Sequence, residues 1–175
     1  VADGTGLAVA AHWPLRIQAL AALPDAATLG ATDAANRTVL RALLALAVGD
    51  AGDDGAVPDD PVARVEAKLD AVLDLLAGML AAAAPLPPAV ALVLAADRLE
   101  WAAPAGAGPV CVELYPDPRY PRALRLYGIA EPTEAGGGRL PLAGLAAASA
   151  EVLTRLVFVL HRRAHGAGRR ARASR

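Results

Sequence analysis

The stretch that most limits what this chain can become is ARVEAKLDAVLDLLAGML, residues 63–80. Val62, Val65, Leu69, Val72, Leu76 and Met79 recur at alternating steps of three and four, the a/d spacing of a heptad repeat. Asp60 is placed to cap this helix and Pro61 to open it. Its flanks change along its length, from Glu66 and Lys68 near the start to Leu73, Leu75 and Leu80 further on. A face that broad is not covered by a thin two-stranded seam. It calls for a bundle of more than two helices, or for a seam combined with the chain's own globular part. Burying each seam side chain is worth about 1.5–3 kcal/mol before entropy. The competing reading is an amphipathic helix lying on its own domain.

A preceding helix is expected over Thr32–Val48, with Thr32 as N-cap, Asp33 in the first turn and Gly49 as its stop. Leu29, Thr32, Asn36, Val39, Leu43 and Leu46 form a second heptad-like row. A polar Asn36 inside such a seam fixes register at a cost in stability. GDAGDDGAVPDD, residues 49–60, reads as an acidic loop. Before the first helix, GLAVAAHWPLRI predicts a short strand with Trp13 as a core anchor and His12 beside it at the surface or hydrogen-bonded.

Residues 75–96 carry no charge and are long enough to span a bilayer, but Pro85, Pro87 and Pro88 divide them. The expectation is a helix end, a stiff turn and a buried strand. Beyond the prolines the pattern shifts to short runs of period two: VALVLAA, RLEWA, GPVCVELYP, RALRLYGIAEP and RLPLAGLA. Short strands at this spacing predict a small antiparallel barrel or sandwich. SAEVLTRLVFVLHRRAH predicts a closing helix, with Ser149 as cap and Leu153, Leu156, Val157 and Leu160 on one face. The expected fold class is α+β. One domain covers 1–175, with 32–83 as a helical oligomerisation segment and 89–168 as barrel plus C-terminal helix.

Charge is unevenly spread. Residues 1–83 hold 5 cations against 11 anions, and residues 84–175 hold 12 against 7. HRRAHGAGRRARASR, residues 161–175, has six arginines and no carboxylate side chain. Arg162, Arg163, Arg169 and Arg170 are therefore candidate partner-binding residues, although a solvated helix end is the simpler account of them. Without interleaved aromatics the stretch is a poor nucleic-acid interface. Cys111 is the single cysteine, so no intrachain disulfide forms, which fits a reducing cytoplasm. The start lacks the basic and continuous apolar regions of a signal peptide.

No catalytic constellation emerges. Cys111 lies between Val110 and Val112, as a packing residue would. His161 and His165 share a helix face, but HRRAH lacks the glutamate of a metalloprotease helix and places Arg162 and Arg163 beside any dication. AGGGR has neither Walker spacing nor a following helix. Neither a metal nor an enzymatic activity is expected.

The order RVEAKLDAVLDLLAGML, PLPP into LVLAADRLEW, VELY…P…LRLYG and LVFVLHRRA resembles the atypical, tetrameric branch of the PilZ domain family over roughly residues 26–168. The resemblance implies that inserted helices of several subunits form a central bundle, so that the heptad seam packs on copies of itself. It also implies non-catalytic signalling linked to cyclic di-GMP, such as control of pili, motility or virulence.

The ligand motif of ordinary PilZ domains is degenerate here. They use an RxxxR segment before the barrel and a D/N-x-S-x-x-G turn. Arginine forks suit two phosphates and stack on guanine, and glycine permits close backbone approach. Val93 stands where the acid or amide belongs, Ala95 where serine belongs and Arg98 where glycine belongs. Arg37 and Arg41 fit RxxxR only as one face of the first helix, and Arg64 with Lys68 falls inside the heptad helix. Cyclic di-GMP binding is expected to be weak or absent, with no other cofactor. The resulting expectation is a cytoplasmic homo-oligomeric scaffold, tetramer favoured. The alternative is a coiled-coil-assembled module that binds nucleic acid or an acidic protein through its arginine-rich end.

Overall fold

The computed structural model describes residues 7–49 and 85–173, together with Val65, Leu69, Val72, Leu76, Gly78 and Met79, with side chains described as far as residue 165. Val62, Asp60, Pro61, Arg64, Glu66, Lys68, Leu73, Leu75 and Leu80 lie outside the described residues, as do the side chains of Arg169 and Arg170.

Six strands close into an antiparallel barrel: β1 (Ala8–Ala19), β2 (Ala89–Ala95), β3 (Arg98–Trp101), β4 (Gly108–Leu114), β5 (Leu124–Pro132) and β6 (Gly138–Pro141), in the order β1-β2-β3-β6-β5-β4. The period-two runs form strands because alternation puts one set of side chains inside. Along β5, Leu124 and Leu126 are buried while Arg125 is exposed. Leu92, Leu94, Leu99, Val112, Leu114 and Leu140 complete the interior.

β1 is longer than the short strand the sequence suggests, and it closes the barrel. Its first half, Ala8–Pro14, pairs with β2, and its second half, Leu15–Ala19, pairs with β4. Pro14 sits at the switch between partners, where a residue without an N–H leaves no ladder bond unmade. Trp13 is half-buried and packs against the core. The tryptophan enclosed in the barrel is Trp101, 3 % exposed, whose ring occupies the space a Cβ on Gly138 would need. A small residue there is therefore a packing requirement.

Two helices cover the barrel. The first, α1 (Ala26–Gly49), begins two turns before the expected Thr32. Its cap is Asp25, whose Oδ1 accepts from the Thr28 N–H at 2.8 Å. Thr32 is inside the helix. Of the row read as a second seam, Asn36, Val39 and Leu43 are buried in the chain's own core, with Leu40 and Ala47 beside them, while Leu29 is 37 % exposed. Asn36 accordingly does not sit in an intersubunit seam. Its Nδ2 donates to the Arg125 carbonyl at 2.6 Å, and its Oδ1 accepts from the Arg125 N–H at 2.9 Å, docking α1 on β5.

The second, α2 (Ala147–Ala173), is the expected closing helix, with Leu153, Leu156 and Val157 buried. Ser149 is not its cap. It is fully buried in the first turn, with Oγ 3.5 Å from the Asp33 carbonyl of α1, where a small side chain lets the helices approach. Asp33 Oδ1 accepts from the Ala146 N–H at 3.3 Å, placing a carboxylate at the positive end of α2. Val65, Leu69, Val72, Leu76, Gly78 and Met79 are helical, in keeping with the heptad reading. No helix among the described residues is long and apolar enough to cross a membrane.

Candidate functional site

The heptad row is the first candidate interface. Val65 and Leu69 are each 56 % exposed, Val72 51 %, Leu76 50 % and Met79 70 %. The middle of the equivalent-looking row on α1, Asn36, Val39 and Leu43, is buried. Of two rows with similar spacing, one is consumed by the fold and the other is left open. The sequence does not distinguish them, because both satisfy one apolar stripe and only three-dimensional packing decides which stripe the barrel covers.

The three motif positions lie together on the β2–β3 hairpin, but their side chains diverge. Val93 is half-buried and stands opposite Glu100, whereas Ala95 is enclosed. Arg98 opens β3 and is committed to carboxylates: Nε donates to Glu100 Oε1 at 3.0 Å and Nη1 to Asp97 Oδ1 at 3.2 Å. Arg139 on β6 donates to the same Glu100 oxygen, from Nε at 2.9 Å, with Nη2 at 2.8 Å. Each guanidinium spends two of its five N–H donors on carboxylates, which also offset the charge it would offer a phosphate.

Beside this ladder lies a cleft of about 730 Å³. Ala10, Ala91 and Val93 give it small apolar surfaces, and Glu100, Glu131, Glu134 and Arg139 supply its charge. Glu131 and Glu134, both exposed, make no ion pair among the described residues. These four charged residues were missed in the sequence. Their signal was the outward phase of β3, β5 and β6, where Glu100, Glu131 and Arg139 alternate with apolar neighbours, but the strand order joining them is not local information.

A second ladder crosses β1, β4 and β5. Glu113 Oε1 accepts from Arg125 Nε at 3.0 Å, and Oε2 from Arg16 Nη1 at 3.4 Å. Behind it, Cys111 is buried opposite Tyr127. Burial pushes the Cys111 thiol above its ordinary value, against a smaller downward pull from its hydrogen bond with Tyr127. That is the wrong direction for a nucleophile. No histidine supplies a base to it: His161 Nδ1 lies 2.8 Å from the Ala8 carbonyl, and its ring packs at 4.3 Å from that of His165. Among the described residues no group of three or more His, Cys, Asp or Glu side chains is arranged to hold a metal.

On α2, Arg162 is exposed and sits 5.8 Å over the ring of Phe158, itself 49 % exposed. Arg163 is half-buried. The two arginines therefore do not share one open face. The helical backbone continues through Arg169 and Arg170 to Ala173.

No protein-family model and no curated protein matches the sequence. Among solved structures, the chain is similar to a pathogenic protein from Xanthomonas campestris, described as a new tetrameric PilZ domain self-assembled via an unusual helical bundle. The TM-score is 0.69 at 22 % identity, over 93 % of this chain and 92 % of that one. The fold is therefore that of an atypical PilZ domain, as the sequence resemblance implied.

Proposed function

We propose that this protein is a non-catalytic PilZ-type signalling or scaffold protein, assembled through its heptad segment and with weak or no affinity for cyclic di-GMP. The observation that carries the reading is the row Val65, Leu69, Val72, Leu76 and Met79, half or more exposed on the single chain. A contiguous apolar row of this kind is an interface that lacks its partner. The heptad spacing makes another copy of the same helix the natural partner. A tetramer fits a face wider than a two-stranded seam, and the similar Xanthomonas protein is itself tetrameric.

The poor outlook for the dinucleotide rests on chemistry around the hairpin. Arg98 is held by Asp97 and Glu100, and the adjoining cleft carries Glu131 and Glu134, which bond no cation among the described residues. Two phosphates brought there meet like charge, and at a partly dry surface two unit charges about 4 Å apart repel by roughly 4 kcal/mol. A role in cyclic di-GMP-linked control of pili, motility or virulence, exercised through a protein partner in the cytoplasm, follows from the family resemblance.

Two measurements on the full chain test this. Light scattering is expected to give an oligomer, with four copies favoured. Calorimetric titration with cyclic di-GMP is expected to give little heat. Saturable micromolar binding would overturn the loss of the ligand site, and a monomer at all concentrations would overturn the assembly.

A further inference from the structure

We infer that the cleft bounded by β1, β2, β3 and the β5–β6 hairpin receives the arginine-rich stretch 169–172 of a neighbouring copy. This rests on the self-assembly proposed above and names a second contact made within it. The cleft's volume, about 730 Å³, is ample for arginine side chains. Its surface joins small apolar residues, Ala10, Ala91 and Val93, to the carboxylates of Glu131 and Glu134. Such a surface suits guanidinium groups, whose stems lie on apolar atoms while their forks bind carboxylates.

The chain itself carries the complementary piece. Residues 161–175 hold six arginines and no carboxylate side chain. The same copy does not place that piece in its own cleft. α2 packs on α1, β1 and β2 and touches none of β3, β5 or β6, the strands that carry Glu100, Glu131 and Arg139. His161 is held to the Ala8 carbonyl at the start of β1, and α2 remains helical to Ala173. That is about 18 Å of further helix at 1.5 Å per residue. An unbroken helix carries its arginines onward from that anchor. Charge balance agrees, because Glu100 is already shared by Arg98 and Arg139 whereas Glu131 and Glu134 lack cations among the described residues.

The test uses two full-length proteins, one carrying Ala135→Cys at the cleft and the other Ala171→Cys between two arginines, co-assembled and oxidised mildly. Cys111 is only 7 % exposed and contributes little background. A disulfide between the two chains is expected, and its rate should fall roughly tenfold when Glu134→Arg, or Glu131→Arg with Glu134→Arg, is added to the cleft partner. It should fall again at high salt, where exposed pairs are screened. An intact oligomer that cross-links no faster than its charge-reversed variant would overturn the inference while leaving the assembly standing. Cross-linking within a single doubly substituted chain, or insertion of an unrelated basic peptide in preference to the chain's own stretch, would overturn it too. A monomer, read separately by mass, would remove the assembly and this contact together.

Discussion

Asn36 and Arg125 exchange two hydrogen bonds across 89 residues of chain, at 2.6 and 2.9 Å, so that one amide side chain completes the backbone bonding of a barrel strand. The Arg125 side chain points elsewhere, to Glu113. The residue that resembles a register-setting seam asparagine is thus the clasp between helix and barrel.

Replacing Asn36 by alanine leaves the Arg125 N–H and carbonyl without this partner, in a place where Asn36 is 3 % exposed. Each orphaned group costs about 1–3 kcal/mol, so a loss of roughly 2–6 kcal/mol is expected in urea unfolding monitored by far-UV circular dichroism. Asn36→Asp restores the acceptor but not the donor and should recover only part of the loss. Oligomer mass should not change for folded Asn36→Ala, whereas a seam asparagine would alter the number of copies.

This pair also marks where sequence reading ended. The five strands after the proline stop, and the closing helix, were legible because Leu124 and Leu126 alternate with Arg125, and because Leu153, Leu156 and Val157 follow a helical period. Two local signals misled. Thr32 has the chemistry of a cap, yet Asp25 supplies it two turns earlier. Ser149 has that chemistry too, but its small size serves helix contact. Trp13 packs against the core as expected, although the fully enclosed tryptophan is Trp101. The cleft was illegible because Glu100, Glu131 and Arg139 meet only through the β3-β6-β5 order.

Asp25 should give α1 a pH-dependent contribution. The hydrogen bonds from Thr28 hold its carboxyl below the ordinary 3.8. A carboxyl lowered in the folded state stabilises above its unfolded value, and that gain fades as pH falls through the folded value. Asp25→Ala should therefore unfold at lower denaturant than the parent at pH 7. The gap between them should close below pH 3.8. A gap of constant size down to strongly acid pH would show that the ionised cap is not its source.

Cys111 should be a slow thiol. It is 7 % exposed, and burial holds its thiol above the ordinary 9.0. Iodoacetamide at pH 8 should label the native protein at least about tenfold more slowly than the protein in denaturant, since only the thiolate reacts and access is limited. The native rate should still be rising steeply with pH at 9.0, where a thiol of ordinary value begins to level off. Labelling at the rate of a free peptide thiol would place Cys111 at an open surface.

Leu69 and Leu76 separate assembly from folding. Each is about half exposed on the single chain, at 56 % and 50 %, so an aspartate there meets water as long as the chain is alone. Exposed substitutions of this sort usually change stability by no more than about 0.5 kcal/mol. Inside a bundle the same aspartates would face apolar neighbours, and an unpaired buried carboxylate costs several kcal/mol. Leu69→Asp or Leu76→Asp should therefore release protomers in light scattering while the β-rich circular dichroism of the barrel persists. Leu43→Asp on α1 provides the contrast: Leu43 is 3 % exposed in the chain's own core, and its replacement should unfold the protein. Unchanged mass in both heptad variants would mean that the open row is covered by something other than its own copies.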